Sequence, residues 1–221
     1  MSILKVDTIN EKSTNGNIAI APTGSGKLVL DGLTYPHADG SANQVMQTNG
    51  SGVLSFATIS TGFTHATPQA GSGTSMTFGS IPAGTSFIVV TMHDFSSSGA
   101  DEWMVQIGDG GGIETADYRS FRGANTNSSM AADGTPNSGE SIGFGITVDA
   151  SGNTFGGQMM LSLHHPTNHT WVSSSQFRRD GFDYSSGAGS KDLSAELTQV
   201  RITTKGGSES FDAGTINIMY M

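Results

Sequence analysis

The sequence predicts an all-β protein in two parts: an intertwined N-terminal β stalk over residues 1–60, and an antiparallel, jelly-roll-like β-sandwich head over residues 61–221. Three observations predict it. Gly contributes 31 of the 221 residues and charged residues only 13%, with Ser, Thr and Asn filling the space, which favours many turns and short strands over long helices. Short apolar runs recur between Gly-rich turns along the whole chain. Hydrophobic residues are only 35%, so the core must be concentrated in one region.

The opening segment alternates loosely through Ile3, Val6 and Ile9, then Ile18 and Ile20 after the turn Asn15-Gly16-Asn17, and Leu28-Val29-Leu30 follows between glycines. Val45–Met46 and Val53–Leu54 flank Asn49-Gly50-Ser51-Gly52, whose residues tolerate positive φ, so a β-hairpin is expected there. Pro36 and Asp39-Gly40 make Tyr35–Asn43 an extended connector. Residues 1–60 hold too few large apolar side chains to offset the entropy of ordering them, yet their Ile, Val and Leu argue against plain disorder. Copies of the chain sharing one core resolve the conflict.

From about Thr64 the pattern becomes denser. Strands are expected at residues 75–81, 85–95, 102–108, 141–150, 154–164, 170–178, 197–205 and 210–220. Alternation is clearest in Phe87, Val89, Thr91, His93 and Phe95, and in Ile142, Phe144, Ile146 and Val148. About eight antiparallel strands separated by turns such as Pro82-Ala83-Gly84 and Gly206-Gly207 suggest a two-sheet sandwich. The polar stretch from Gly110 to Glu140 is expected to be a long surface loop that carries any recognition site.

Charge and composition exclude several function classes. A net charge of −9 with ten Lys and Arg argues against a nucleic-acid partner, which needs clustered cations. The absence of Cys removes disulfide frameworks and Cys zinc sites. No apolar run approaches the ~20 residues of a membrane helix, so membrane insertion is not expected, and the N-terminus lacks a basic-then-apolar secretory pattern.

Several motifs mimic catalytic or ligand-binding chemistry. Ala21-Pro22-Thr23-Gly24-Ser25-Gly26-Lys27-Leu28 imitates a phosphate-binding loop, but Ala21 stands where Gly is needed, Leu28 where Ser or Thr would hold magnesium, and a strand follows instead of a helix. His164 and His165 cannot face the same way in a strand, so with His169 they make a poor metal set; no metal or other cofactor is expected. Asp101 and Glu102, Glu114 and Asp117, and Asp180 and Asp183 are carboxylate pairs, but glycosidic hydrolysis needs them fixed ~5–9 Å apart across a cleft. Residues 149–154 lack the calcium-loop pattern and its closing Glu. No catalytic residue is assigned, and the chain is not expected to be an enzyme.

Aromatic and cationic residues are the better candidates. Trp103 alternates with Val105 and Ile107 and is expected in the core. Tyr118 and Tyr184 lie in Gly/Ser/Asp-rich stretches and are expected at the surface, where flat rings stack on sugars. Arg119 and Arg122, then Arg178 and Arg179, are rare cations that suit an acidic glycan, and His169 sits in a surface loop. Tyr118, Arg119, Arg122, His169 and Tyr184 are therefore the candidate receptor-binding residues.

Residues 39–45 (Asp-Gly-Ser-Ala-Asn-Gln-Val) followed by residues 49–56 (Asn-Gly-Ser-Gly-Val-Leu-Ser-Phe) resemble the stalk segment of tail-fibre and related appendage proteins of marine tailed bacteriophages. The opening Met-Ser-Ile-Leu-Lys-Val-Asp-Thr-Ile is similar to the start of such proteins, and residues 211–220 to their final strand. The resemblance implies a homotrimeric virion structural protein, made in the host cytoplasm. It would be joined to other virion proteins by its N-terminal segment, with a head that binds a host-surface polysaccharide. A capsid or tail decoration protein without a receptor role uses the same features, and a polysaccharide depolymerase is a further alternative.

Overall fold

The computed structural model describes residues 20, 22, 25–59, 62–126, 129–131, 141–148, 150–180 and 183–221. The strands expected before Ile20, residues 21, 23 and 24 of the phosphate-loop mimic, and residues 132–140 of the expected loop lie outside them. The chain divides into two compact units, the boundary falling between residues 61 and 62.

In the first unit, β1 (Val29–Leu30) and β2 (Leu33–Thr34) pair antiparallel across Asp31-Gly32. Both turn residues have positive φ, 49° and 79°, the combination a two-residue hairpin needs to match strand twist. The expected hairpin is β3 (Gln44–Thr48) against β4 (Leu54–Thr58). The Asn49 side-chain oxygen closes its turn by accepting from the backbone N–H groups of Ser51, at 2.8 Å, and Val53, at 3.1 Å. Gly40 lies against Phe56, whose Cγ would stand 2.6 Å from any added Cβ. None of the described residues of this unit is buried. Val29, Val45, Met46 and Val53 are all exposed.

The second unit holds β5 (Thr64–His65), β6 (Gln69–Ala70), β7 (Ser75–Phe78), β8 (Phe87–Ser97), β9 (Trp103–Asp109), β10 (Gly112–Ile113), β11 (Arg119–Thr126), β12 (Ser129–Ala131), β13 (Phe144–Ile146), β14 (Phe155–His165), β15 (Thr170–Arg179), β16 (Asp183–Asp192), β17 (Gln199–Thr204) and β18 (Phe211–Tyr220). The larger sheet runs β12-β11-β16-β15-β14-β8-β18-β5, with β6 also on β18. The smaller runs β10-β9-β17-β7, with β13 also on β9. The strand pairings within both are antiparallel, no helix occurs among the described residues, and the architecture is all-β with a curled half-barrel.

One core fills the space between these sheets. Ile88, Val90 and Met92 of β8, Phe155, Met159 and Leu161 of β14, and Ile216 and Ile218 of β18 meet Trp103, Val105 and Ile107 of β9 and Val200 and Ile202 of β17. Trp103 is fully buried, as its alternation predicts, with ring contacts to Phe95, Phe155 and Phe211 at 4.8–5.7 Å.

Each of the eight expected head strands has its counterpart, at β7, β8, β9, β13, β14, β15, β17 and β18. On β8 the core cluster takes Ile88, Val90 and Met92, while Val89 is buried on the opposite face. A break in register near Asp94, a non-Gly residue at φ 48°, returns Phe95 to the inside.

Two readings need correction. The expected loop from Gly110 to Glu140 contains β10, β11 and β12, and β11 is fully integrated beside β16. Strand β16 itself, Asp-Tyr-Ser-Ser-Gly-Ala-Gly-Ser-Lys-Asp, was not expected because it has no run of large apolar residues. Its inward glycines are small because the space is taken. A Cβ on Gly189 would stand 2.6 Å from the Arg119 carbonyl oxygen and 3.0 Å from the Phe144 ring, and one on Gly187 3.0 Å from the Phe121 carbonyl.

Candidate binding face and end cavity

The outward face of the larger sheet follows from pairing register. Cα partners align Phe121, Ala188, Ser174 and Met160 in one row across β11, β16, β15 and β14. Gly123, Ser186, Gln176 and Gln158 form the next. Strand β15 alternates strictly: Trp171, Ser173, Ser175 and Phe177 are buried, while Val172, Ser174, Gln176 and Arg178 point out. Neighbouring strands lie ~4.8 Å apart, so Phe121 and Met160 stand about 14 Å apart across a floor of small residues.

The result is a groove of about 450 Å³ with Phe121 at one side, Met160 and Gln158 at the other, and Ser174, Ser186 and Ala188 beneath. Gln176 also lines an adjoining depression of about 480 Å³ with Tyr184, Arg178 and Gly156. Shared by both, it links them into one elongated track. Phe121 is 55% and Tyr184 46% exposed, unusual for large rings on a sheet face. Among the described residues no carboxylate lines either depression. The chemistry on offer is stacking, hydroxyl and amide hydrogen bonds, and one guanidinium.

The candidate residues separate into three places. Tyr184 lies on the exposed face and Arg119 is exposed two positions before Phe121. Tyr118 and Arg122, expected at the surface, are buried. The Gly110-Gly111-Gly112 turn folds the chain back, so that the Tyr118 hydroxyl accepts from the Ile107 N–H at 2.7 Å and lies within donating distance of the Ile107 and Glu114 carbonyls, both at 3.1 Å. Its ring meets Phe144 edge-on at 5.0 Å, and burial pushes its phenol well above the usual tyrosine range. Arg122 ion-pairs with Glu102, which also binds Lys205 at 3.0 Å. A buried guanidinium requires such a partner.

His169 stands elsewhere, at one end of the sheets. It adopts φ 50° in the turn between β14 and β15 and lines a cavity of about 390 Å³ with Trp171, Leu163, Leu197 and Glu196. The missed residues are Phe121, Met160, Gln158 and Gln176; only the alternation of residues 171–178 marked the outward face.

Four carboxylates of the expected pairs serve as anchors. Asp101 accepts from the Gly206 N–H, Glu102 takes Arg122 and Lys205, Glu114 meets Lys191 at 3.3 Å, and Asp180 takes Thr154 and Arg178. The side chain of Asp183 lies outside the described residues. No cluster of three His, Cys, Asp or Glu that could hold a metal ion exists among the described residues. Asp109, which sequence reasoning passed over, is an acceptor hub: Ser194 Oγ donates at 2.6 Å, Gly111 N–H at 2.8 Å and Ala195 N–H at 3.0 Å. The Ser194 hydroxyl first, then the amides, hold its carboxyl below the usual aspartate value.

Comparison with known proteins returns no matching family model, no matching curated protein and no matching solved structure.

Proposed function

We propose that the chain is a homotrimeric virion structural protein, a tail fibre or fibre-like appendage, whose C-terminal head binds a host-surface polysaccharide. The elongated, aromatic-lipped track on the outward face of the larger sheet carries the binding part of this reading. A sugar chain offers apolar ring faces to Phe121 and Tyr184 and hydroxyls to Gln158, Gln176, Ser174 and Ser186. Its length suits a polymer better than a compact metabolite. With no carboxylate among the described residues that line it, the track suits holding a chain over cutting one.

The first unit supports assembly. A two-stranded sheet is marginal by itself in water, and here two of them leave Val29, Met46 and their neighbours uncovered. Copies of the same segment, intertwined as a stalk, are the occupant that the sequence resemblance implies. The head would then be a jelly-roll-like sandwich. Three weak tracks on one particle engage a repetitive glycan much more tightly than one track.

Binding of the full chain to immobilised host polysaccharide tests the reading. Retention by wild type, with roughly fivefold weaker retention of Phe121→Ala or Tyr184→Ala, is expected, since each ring contributes about 1 kcal/mol. Retention on virions but not on host polysaccharide would favour a decoration protein and overturn the receptor role. Shortened glycan chains after incubation would indicate a depolymerase.

A further inference from the structure

The outward face of the larger sheet changes character beyond the track. The row that starts at Phe121 continues past Met160 to Val89 of β8 and Met219 of β18. In the neighbouring row Phe87 and Met221 exchange both backbone hydrogen bonds, at 3.0 and 3.2 Å, so they stand directly opposite each other. Phe63, just before β5, lays its ring 5.8 Å from that of Phe87. Ile88, Val90, Ile216 and Ile218 take the core side of the same strands, so alternation turns Phe87, Val89, Met219 and Met221 outward. With Phe63 they form an apolar patch that contains no Asp, Glu, Lys or Arg. Its rim is open, with Phe63 43% and Met221 56% exposed.

Size and position choose the occupant. Three strands ~4.8 Å apart and two rows ~7 Å apart, with their side chains, give a footprint on the order of 300 Å². A stable interface between independent proteins needs about 800 Å² from each partner. The patch is therefore too small to capture a free protein and suits a partner already held close by another link. Phe63 is the second residue of the second unit. It follows directly on the segment whose uncovered Val29, Met46 and Ile59 the proposed assembly joins. Copies linked through that segment keep their heads at millimolar effective concentration. A net charge of −9 makes copies repel one another, and an uncharged apolar patch is where they meet at least cost.

We propose that the patch of Phe63, Phe87, Val89, Met219 and Met221 packs against the same patch on the other copies of this chain. The heads then touch through β8, β18 and the residues before β5, while Phe121, Ala188 and Tyr184 on β11 and β16 stay open for ligand. The inference rests on the trimer reading and adds which surface of the head the other copies cover.

The chain has no cysteine, so one introduced thiol reports on its surroundings alone. Full-length Met221→Cys treated with a short bismaleimide is expected to give covalent dimers on a denaturing gel. Ala188→Cys, at an exposed position in the track, should stay unlinked. Adding Phe63→Asp to Met221→Cys should lower the linked fraction about fivefold or more, because a charge would then be buried in the contact. Absence of linking in Met221→Cys, or equal linking in Ala188→Cys, overturns the proposal. On assembled virions, linking of Met221→Cys only to a different protein overturns it as well. If wild type sediments as a trimer while Met221→Cys stays unlinked, this inference fails and the trimer reading stands. A wild-type monomer would sink both.

Discussion

Asp109 shows how one side chain can organise several segments. Its carboxylate gathers donors from Gly111, Ser194 and Ala195, tying the β9–β10 turn to the segment before β17. Because these donors lower its folded pKa, the stabilisation is fully present above the unfolded value of 3.8 and is lost as pH falls through the lower folded value. Thermal unfolding followed from pH 7 to pH 3 should therefore lose part of its midpoint below about pH 4. Asp109→Asn should melt lower at pH 7, because an amide cannot accept three donors as a carboxylate does, and its acid slope should be shallower. An unchanged slope would remove Asp109 from the acid limb. Tyr118 gives the converse lesson: surrounding glycines and aspartates suggest exposure, yet the same glycines form the turn that lays its ring against Phe144.

Strand β16 is the element that local sequence hid. Its serines and glycines lack any apolar period, and small residues weaken a strand unless neighbours leave no room for larger ones. Gly189 meets that condition, pressed between Arg119 of β11 and Phe144 of β13. Gly189→Val should destabilise the head by about 1–3 kcal/mol through overpacking, read as a lower denaturant midpoint in chemical unfolding. Ala188→Val, whose side chain points outward in the next position, should change stability by less than about 0.5 kcal/mol. Equal effects from the two would show that inward crowding does not set the sequence of β16. By contrast, β15 declared itself, because Trp171 and Phe177 alternate with polar residues and both faces have large or charged side chains to mark them.

At the scale of the whole chain, the two units differ in how they meet the cost of order. The head closes a core around Trp103, Phe95 and Phe211, while the described part of the first unit buries nothing. Assembly through that unit predicts a solution mass three times that of one chain by analytical ultracentrifugation. Replacing Val29 and Met46 together with Asp should shift the mass toward the monomer, since charges on an apolar interface cost several kcal/mol once desolvated. A monodisperse wild-type monomer would contradict the stalk. Under the proposed glycan-binding reading, trimerisation would also multiply the weak tracks, so the same double variant should lose retention on host polysaccharide more steeply than it loses any single-site contact.

By itself the sequence determined the all-β class, the eight strongly patterned head strands, the Asn49 hairpin and the burial of Trp103. These depend on local turn chemistry and on side-chain period, both of which are written within a few consecutive residues. Tertiary structure alone decided that β11 and β16 join the larger sheet, that Tyr118 and Arg122 turn inward, and that Phe121, Gln176 and Met160 share one groove. Those outcomes depend on which strands lie side by side, and register between distant strands leaves no mark on any one of them until they pair.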